Sequence, residues 1–205
     1  MSQNVKSVAL AVGLAIMLTA CRKTADNKLN FESAINAYYQ AHPSCLWATP
    51  QKFPVQVGHD DPKTAQFDAL VDQGLLVRTT SEKKIIIISK QENNYDISDK
   101  GRGAWTADPS QPGYGNFCYG HRKVISVDSS TPTNDSPGAT TTVQYHYTIA
   151  DAPAWATAAE TQTAYPKVQA NLAGSSKAAN ASLTNTTNGW QVSDIGKNSD
   201  SDIVE

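Results

Sequence analysis

The sequence predicts an α+β fold, with a helical N-terminal half and a C-terminal antiparallel sheet packed with a helix. Apolar residues recur at helical spacing in segments 31–42 and 61–74, whereas apolar and polar residues alternate with period two at 123–127 and 140–149. An Asn-Gly pair at 188–189 is typical of a tight turn between two strands. With 205 residues and a net charge of −2, the chain has room for one ordinary domain or two small ones.

The chain begins with an apolar run at residues 8–20, preceded by Lys6 and followed by a cysteine. This run is shorter than the roughly 20 residues that a helix needs to cross a bilayer, and its layout is that of a secretory signal peptide. Its last residues resemble the lipobox of bacterial lipoproteins, and they are Leu18, Thr19, Ala20 and Cys21. The resemblance implies that residues 1–20 are removed and that Cys21 carries lipid, commonly including palmitate. An ordinary signal peptide or a core helix is the alternative.

The residues after the cysteine indicate which membrane holds the protein. Lipoproteins retained at the inner membrane typically carry an aspartate there, whereas this chain has Arg22 and Lys23. We therefore expect a protein anchored at the periplasmic face of the outer membrane, with the outer leaflet of the inner membrane as the alternative. Residues 21–29 are polar and aperiodic, and they are expected to form a tether.

Region 30–121 is expected to begin with an amphipathic helix over 31–42, capped by Asn30. A second helix would start near Asp61 and Pro62 and end at Gly74, followed by a strand over 84–89. A turn is expected at Asn93 and Asn94, with a return strand that leaves through Gly101 and Gly103.

The helix, strand and turn of residues 61–105 resemble the recognition helix and wing of a winged-helix module. In that family the helix reads a DNA groove. Here the middle helix carries Asp68 and Asp72 against Lys63 alone, and the whole chain is slightly acidic. We therefore expect no nucleic-acid partner, because such proteins carry a basic surface.

The second region, 122–194, is expected to form the antiparallel sheet, followed by a flexible tail at 195–205. Strands over 123–127 and 140–149 would be joined by a polar loop, and helices are expected near 153–163 and after Pro166. Trp155 is expected to cover the sheet face.

Three cysteines are present, and a lipid on Cys21 would leave Cys45 and Cys118. An even pair in an exported protein indicates a disulfide. Two free buried thiols, or a metal or nucleophile site, are the alternatives.

An aromatic-glycine loop at 113–121 is the candidate ligand site. Its rings could stack on a cell-wall glycan or a peptide, or they could pack around Cys118 instead. The candidate residues are Trp105, Tyr114, Phe117, Tyr119 and His121.

Catalytic and metal-binding patterns are weak in this sequence. Residues 59–61, His-Asp-Asp, are expected to form a solvated loop, and His146 is expected to be a surface residue. No motif names a nucleophile, so an envelope hydrolase is the less favoured function, and no metal or cofactor is expected. The favoured function is that of a lipid-anchored envelope protein that binds another envelope protein as an accessory, scaffold or inhibitory subunit.

Overall fold

The computed structural model describes residues 27–85 and 88–196, with the backbone alone for 83–85 and 88–90. A first helix, α1, covers 27–41. The further helices are α2 Lys63–Asp72, α3 Asp99–Ala104, α4 Ala154–Thr157, α5 Ala159–Ala164 and α6 Pro166–Leu172. The strands are β1 Ser44–Cys45, β2 Gln51–Lys52, β3 Val55–Gly58, β4 Leu76–Ile85, β5 Ile88–Ile97, β6 Trp105–Ala107, β7 Tyr114–Ser130, β8 Thr140–Ala150, β9 Lys177–Thr186 and β10 Gly189–Ile195.

The large sheet is antiparallel and curled, with the order β1-β7-β8-β9-β10, and β2 and β6 also pair with β7. Its longest strand, β7, has 17 residues and continues without a break across residues 121 and 122, where the two predicted regions meet. Two register shifts, between Val124 and Ser126 and between Val127 and Ser129, interrupt the pairing of β7 with β8. Such bulges bend a strand and increase its twist, which accounts for the curl.

The small sheet has three strands in the order β3-β5-β4. The strand predicted over 84–89 is wrong, because β4 ends at Ile85 and β5 begins at Ile88. The turn predicted at Asn93 and Asn94 is wrong as well. Both asparagines lie inside β5, between β4 on one side and β3 on the other. Two neighbouring strands satisfy their backbone groups, and this outweighs the turn preference of Asn-Asn.

The predicted fold class is wrong. More of the described residues lie in strands than in helices, and the N-terminal half is not a helical, winged-helix-like unit. Three of its strands, β1, β2 and β6, belong to the large sheet through β7, and three more form the small sheet. The amphipathic segments did predict α1 and α2. The strands β1, β2, β3 and β6 are too short, and β4 and β5 too polar, to give a clear period-two signal.

The first helix begins before its predicted start at residue 31, and the helix predicted near 153–163 is divided into α4 and α5. Asn30 is not a cap, because α1 already includes residues 27–30. For α2, the predicted start and end agree with the structure. The Asp61 carboxylate accepts a hydrogen bond from the Lys63 backbone N–H at 2.8 Å, and Gly74 follows the helix with a φ of 70°. That positive φ is one that glycine adopts without a steric penalty.

Two apolar clusters stabilise the fold. The first, called the aromatic core, is built around Trp47, Phe67, Phe117 and Trp155. The second, called the sheet core, lies between α1 and the inner face of β7–β10, where α1 contributes a stripe at helical spacing. That stripe is Phe31, Ile35 and Tyr39.

Within residues 27–85 and 88–196, no helix combines the length and apolar character needed to cross a bilayer. The lipobox residues 18–20, Cys21, most of the predicted tether and residues 197–205 of the predicted tail lie outside the described residues.

Candidate functional site

The predicted aromatic-glycine loop is a strand. Residues 114–121 belong to β7, and Phe117 and Tyr119 are fully buried in the aromatic core. The glycines allow close packing within the sheet. A Cβ on Gly115 would lie 2.5 Å from the Trp105 ring, and one on Gly120 would lie 2.4 Å from the Ala150 carbonyl oxygen. Glycine here therefore serves backbone packing, and the two buried rings cannot stack on a ligand.

The other three residues of that set lie apart from one another. The Trp105 ring is half-buried against Phe117, with ring centroids 5.0 Å apart. The Tyr114 ring lies under the Lys52 ammonium, 5.7 Å away. His121 lies in a small hollow of about 230 Å³ with Gln40 and Asp151. The structure therefore packs Trp105 against the buried Phe117, but it does not gather the five predicted residues at one exposed surface.

The predicted disulfide is confirmed. Cys45 and Cys118 are bonded, and they face each other across the pairing of β1 with β7, with Cα atoms 3.8 Å apart. The bridge ties the segment that follows α1 to the central strand. The bridge lies beside the aromatic core, in which the ring centroids of Trp47 and Phe117 are 6.0 Å apart.

The histidine hollow does not hold a catalytic arrangement. His121 Nε2 lies 2.7 Å from the Gln40 amide nitrogen, and its Nδ1 lies 3.6 Å from an Asp151 carboxylate oxygen. The second distance is longer than a hydrogen bond. Among the described residues that line this hollow, none has a hydroxyl or thiol side chain.

A second histidine pairs with a carboxylate on the outer face of the large sheet. His146 Nδ1 lies 2.7 Å from Asp128, and the Ser126 hydroxyl donates a hydrogen bond to the same carboxylate at 2.9 Å. Asp128 therefore lies between the two groups, whereas a serine hydrolase needs the histidine in that position. Residues 59–61 are surface residues, and no group of three metal-ligating side chains forms among the described residues.

A carboxylate of α2 bonds to two side chains of the small sheet, one on β4 and one on β5. Asp68 accepts hydrogen bonds from the Tyr95 hydroxyl and from Arg78, each at 2.7 Å. Burial and the bond to Asp68 raise the pKa of Tyr95 to about 12, and the charge of Asp68 raises the pKa of Arg78. Burial alone raises the pKa of Tyr165. The bonds of Asp68 to Tyr95 and Arg78 hold α2 on the small sheet, whereas the Tyr165 hydroxyl donates to the Gln66 carbonyl of α2 from the junction of α5 and α6.

A groove of about 860 Å³ lies between α1 and β10, and it is called here the polar groove. One side is a face of α1: Asn27, Asn30, Ser33, Ala34, Ala37 and Tyr38. The other side and one end comprise Asp135, Asn185, Asn188, Gly189, Trp190, Gln191 and Val192.

The end of the groove near the β9–β10 turn is closed by hydrogen bonds. Asn185 is buried, its side chain donates to the Asp135 carbonyl at 2.8 Å, and its backbone N–H donates to the Ala139 carbonyl at 2.8 Å. These bonds hold the loop after β7 against β9. The hairpin is present, but its turn lies one residue earlier than predicted: the two central residues are Thr187 and Asn188, and within residues 186–189 positive φ occurs at Gly189 and not at Asn188.

The groove has little charge. Among the described residues that line it, Asp135 is the one that carries a charge. Lys28 follows the lining residue Asn27 in the sequence, but its ammonium donates to the backbone carbonyls of Val127 and Asp128, at 2.9 and 3.1 Å. The described lining residues therefore offer mainly amide, hydroxyl and apolar groups.

Both aromatic rings of the groove already have ring partners. Tyr38 stacks on His42, with centroids 4.1 Å apart and planes 17° apart. Trp190 meets Phe31 at 5.0 Å in an edge-to-face arrangement. The sequence indicated the Asn188-Gly189 turn, but nothing in it could bring β10 beside α1, since they are far apart in the chain.

Comparisons with protein-family models, with curated proteins and with solved structures found no match to this chain.

Proposed function

We propose that this protein is a lipid-anchored cell-envelope protein that acts by binding another envelope component, and that the polar groove is its binding surface. The observation that carries this proposal is the groove itself, which combines amide side chains, small residues and a strand edge in one hollow. Ligand sites are typically concave and pair apolar surface with a few placed polar groups. An accessory, scaffold or inhibitory role follows from such binding without catalysis.

The position of the groove suits an anchored protein. Cys21 precedes Asn27, a residue that lines the groove, by six residues. Six extended residues reach about 20 Å at most. If Cys21 carries lipid, the groove lies close to the surface of the bilayer. The residues that follow the cysteine favour the outer membrane as the site of the anchor, and the inner membrane is the alternative.

The anchor is tested by mass. The intact protein extracted from membranes should begin at Cys21 and carry a diacylglyceryl group, with a further acyl chain on its amino terminus. A Cys21→Ser variant should be released or should keep residues 1–20. A soluble mature protein with an unmodified cysteine would refute the anchor and leave the groove proposal untouched.

The binding surface is tested by crosslinking in intact cells. A photoreactive residue is placed at Gln191, which borders the groove, or at Gln56, an exposed glutamine on β3. Both positions lie on edge strands, so they form a matched pair. We expect one dominant crosslinked species from position 191, identified by mass spectrometry, and none in common at position 56. Equal crosslinks at both positions would contradict the proposal.

A further inference from the structure

We infer that the outer end of the β4–β5 strand pair inserts into the surface of a bilayer that contains anionic phospholipid. This outer end, called here the ribbon end, is defined by positions 83–85 of β4 and 88–90 of β5. None of these positions is among the described residues that line the polar groove, so the inference goes beyond the proposed function. It depends on how far the ribbon end extends, on the order of its residues and on its charge.

The ribbon end extends past the third strand of the small sheet. β4 and β5 have 10 residues each and pair as far as Ile85 and Ile88. β3 accompanies β5 only to Glu92, after which one further bond joins the His59 N–H to the Gln91 carbonyl at 3.1 Å. Past that bond the described residues of the two strands pair with each other alone. The pairs of the ribbon end therefore reach about 10 Å beyond the third strand, at about 3.3 Å per residue.

The strand that leads to the ribbon end is not covered by the described part of the chain. Residues 77–82 of β4 are all exposed. Because successive residues of a strand face opposite sides of a sheet, an unbroken run of exposed residues places solvent on both faces of β4. The ribbon end therefore continues a segment that is exposed on both faces.

The residues of the ribbon end are apolar at its outermost pair and cationic behind it. Ile85 pairs with Ile88, and Lys83 pairs with Lys90 two positions further back. The sequence from 85 to 88 is isoleucine throughout. Residues that pair across antiparallel strands share a face of the sheet, and so do residues two apart in one strand, so the two pairs lie on one face. Apolar groups with lysines behind them suit a membrane interface, where lysines keep their charged heads among the headgroups.

The size of the ribbon end favours lipid over a protein partner. It is two strands wide and about 10 Å long, and paired strands lie about 5 Å apart. A stable protein interface buries about 800 Å² on each partner, which is far more than the ribbon end offers. Apolar groups that bind a bilayer surface enter it by about 5 to 10 Å, which matches the length of the ribbon end.

Charge determines which lipid is bound. Lys83, Lys84 and Lys90 lie within the ribbon end, and Glu82 precedes it in β4. The ribbon end is therefore positively charged in a chain whose net charge is −2. Each lysine near an anionic bilayer surface strengthens binding about fivefold. The lipid anchor predicted at Cys21 would hold the chain beside such a bilayer, and insertion of the ribbon end would provide a second point of attachment.

The test measures contact with acyl chains at two matched serines. An environment-sensitive fluorescent amino acid replaces Ser89 in the ribbon end or Ser81 in the exposed part of β4, each in the full-length protein. The protein is incorporated into vesicles of phosphatidylethanolamine and phosphatidylglycerol whose acyl chains carry bromine, a short-range quencher. We expect emission to be quenched at position 89 and unchanged at position 81. Brominated phosphatidylcholine, which lacks the anionic headgroup, should leave both positions unquenched.

Two kinds of substitution separate charge from apolar contact. Lys83→Gln with Lys90→Gln should lower the ratio of inserted to free ribbon ends, measured from fluorescence decays at position 89, about 25-fold, which is about fivefold for each lysine. Ile85→Thr with Ile88→Thr keeps the β-branched shape that favours strands and should abolish the quenching. Lys63→Gln, at an exposed lysine of α2, is the control and should have no effect.

Quenching at position 89 that is absent, that is equalled at position 81, or that persists in the double lysine variant would overturn the inference. A protein crosslinked in cells to a photoreactive residue at position 89, without quenching in vesicles, would overturn it in favour of a protein partner. Filling the polar groove with Ala37→Trp, or placing the same ring outside it with Ala41→Trp, should leave the quenching unchanged. Failure of this inference therefore leaves the proposed function untouched.

Discussion

The aromatic core and the sheet core differ in what they bury. The aromatic core consists of interlocking rings, with Trp47 within 6.5 Å of Phe53, Phe67, Trp105 and Phe117 by centroids, and the disulfide lies beside it. The sheet core also buries a charged side chain, Arg122, which is 2 % exposed. The first cluster is organised for packing, whereas the second combines packing with polar bonds and borders the groove.

The buried arginine of the sheet core lies between two rings. Its guanidinium carbon is 5.0 Å from the Tyr39 ring centroid and 4.5 Å from that of Tyr147. It also donates to the Tyr39 hydroxyl at 3.0 Å, and that hydroxyl lies 2.9 Å from the Tyr145 hydroxyl. A network of this kind fixes the position of α1 on the sheet, and with it the shape of the groove.

The largest expected effect is in the aromatic core. Trp155 is 7 % exposed, and its ring packs 6.2 Å from that of Phe117. Trp155→Ala should therefore lower the free energy of unfolding by roughly 3 to 5 kcal/mol, because it leaves a large cavity. Urea denaturation measures the change, with Asp72→Ala on the exposed face of α2 as the control, expected within about 0.5 kcal/mol. A Trp155→Ala protein as stable as the parent would show that the aromatic core does not carry the fold.

The sheet core should respond to the loss of a single oxygen. Tyr39→Phe keeps the ring but removes the hydroxyl that accepts from Arg122 and contacts Tyr145. We expect a loss of about 1 to 3 kcal/mol, since buried polar groups lose a partner. Tyr114→Phe, at a partly exposed ring, is the matched control and should have little effect. Equal stability of the two variants in urea would mean that the arginine network does not stabilise this core.

A smaller effect is expected from pH at the base of the small sheet. The pKa of Tyr95 rises from about 10 in the unfolded chain to about 12 in the folded one. The contribution of Tyr95 is therefore complete below pH 10 and is lost as the pH rises from 10 to 12. After allowance for solvent screening we expect about 1 kcal/mol. Between pH 9 and pH 11 the urea midpoint should fall less for Tyr95→Phe than for the parent. An identical fall in both proteins would show that Tyr95 does not contribute to the loss of stability at high pH.

The sequence predicts local features of this protein better than its architecture. The cysteine pair, α2 with its Gly74 terminator and the alternation of β8 all follow from short-range patterns, and the structure contains each of them. The glycines of β7 were misleading, because Gly115 and Gly120 signal a loop in isolation but serve close packing inside a sheet. The groove was not predictable, since it arises where α1 meets β10 and no local pattern reports that contact.

The most direct test of the central claim combines groove occlusion with crosslinking in cells. A photoreactive residue at position 191 is carried in the parent, in Ala37→Trp and in Ala41→Trp, after urea denaturation has shown that all three unfold within about 0.5 kcal/mol of one another. We predict that the crosslinked partner is lost in Ala37→Trp and kept in Ala41→Trp. A crosslink of unchanged yield in the Ala37→Trp protein would contradict the assignment of the polar groove as the binding surface.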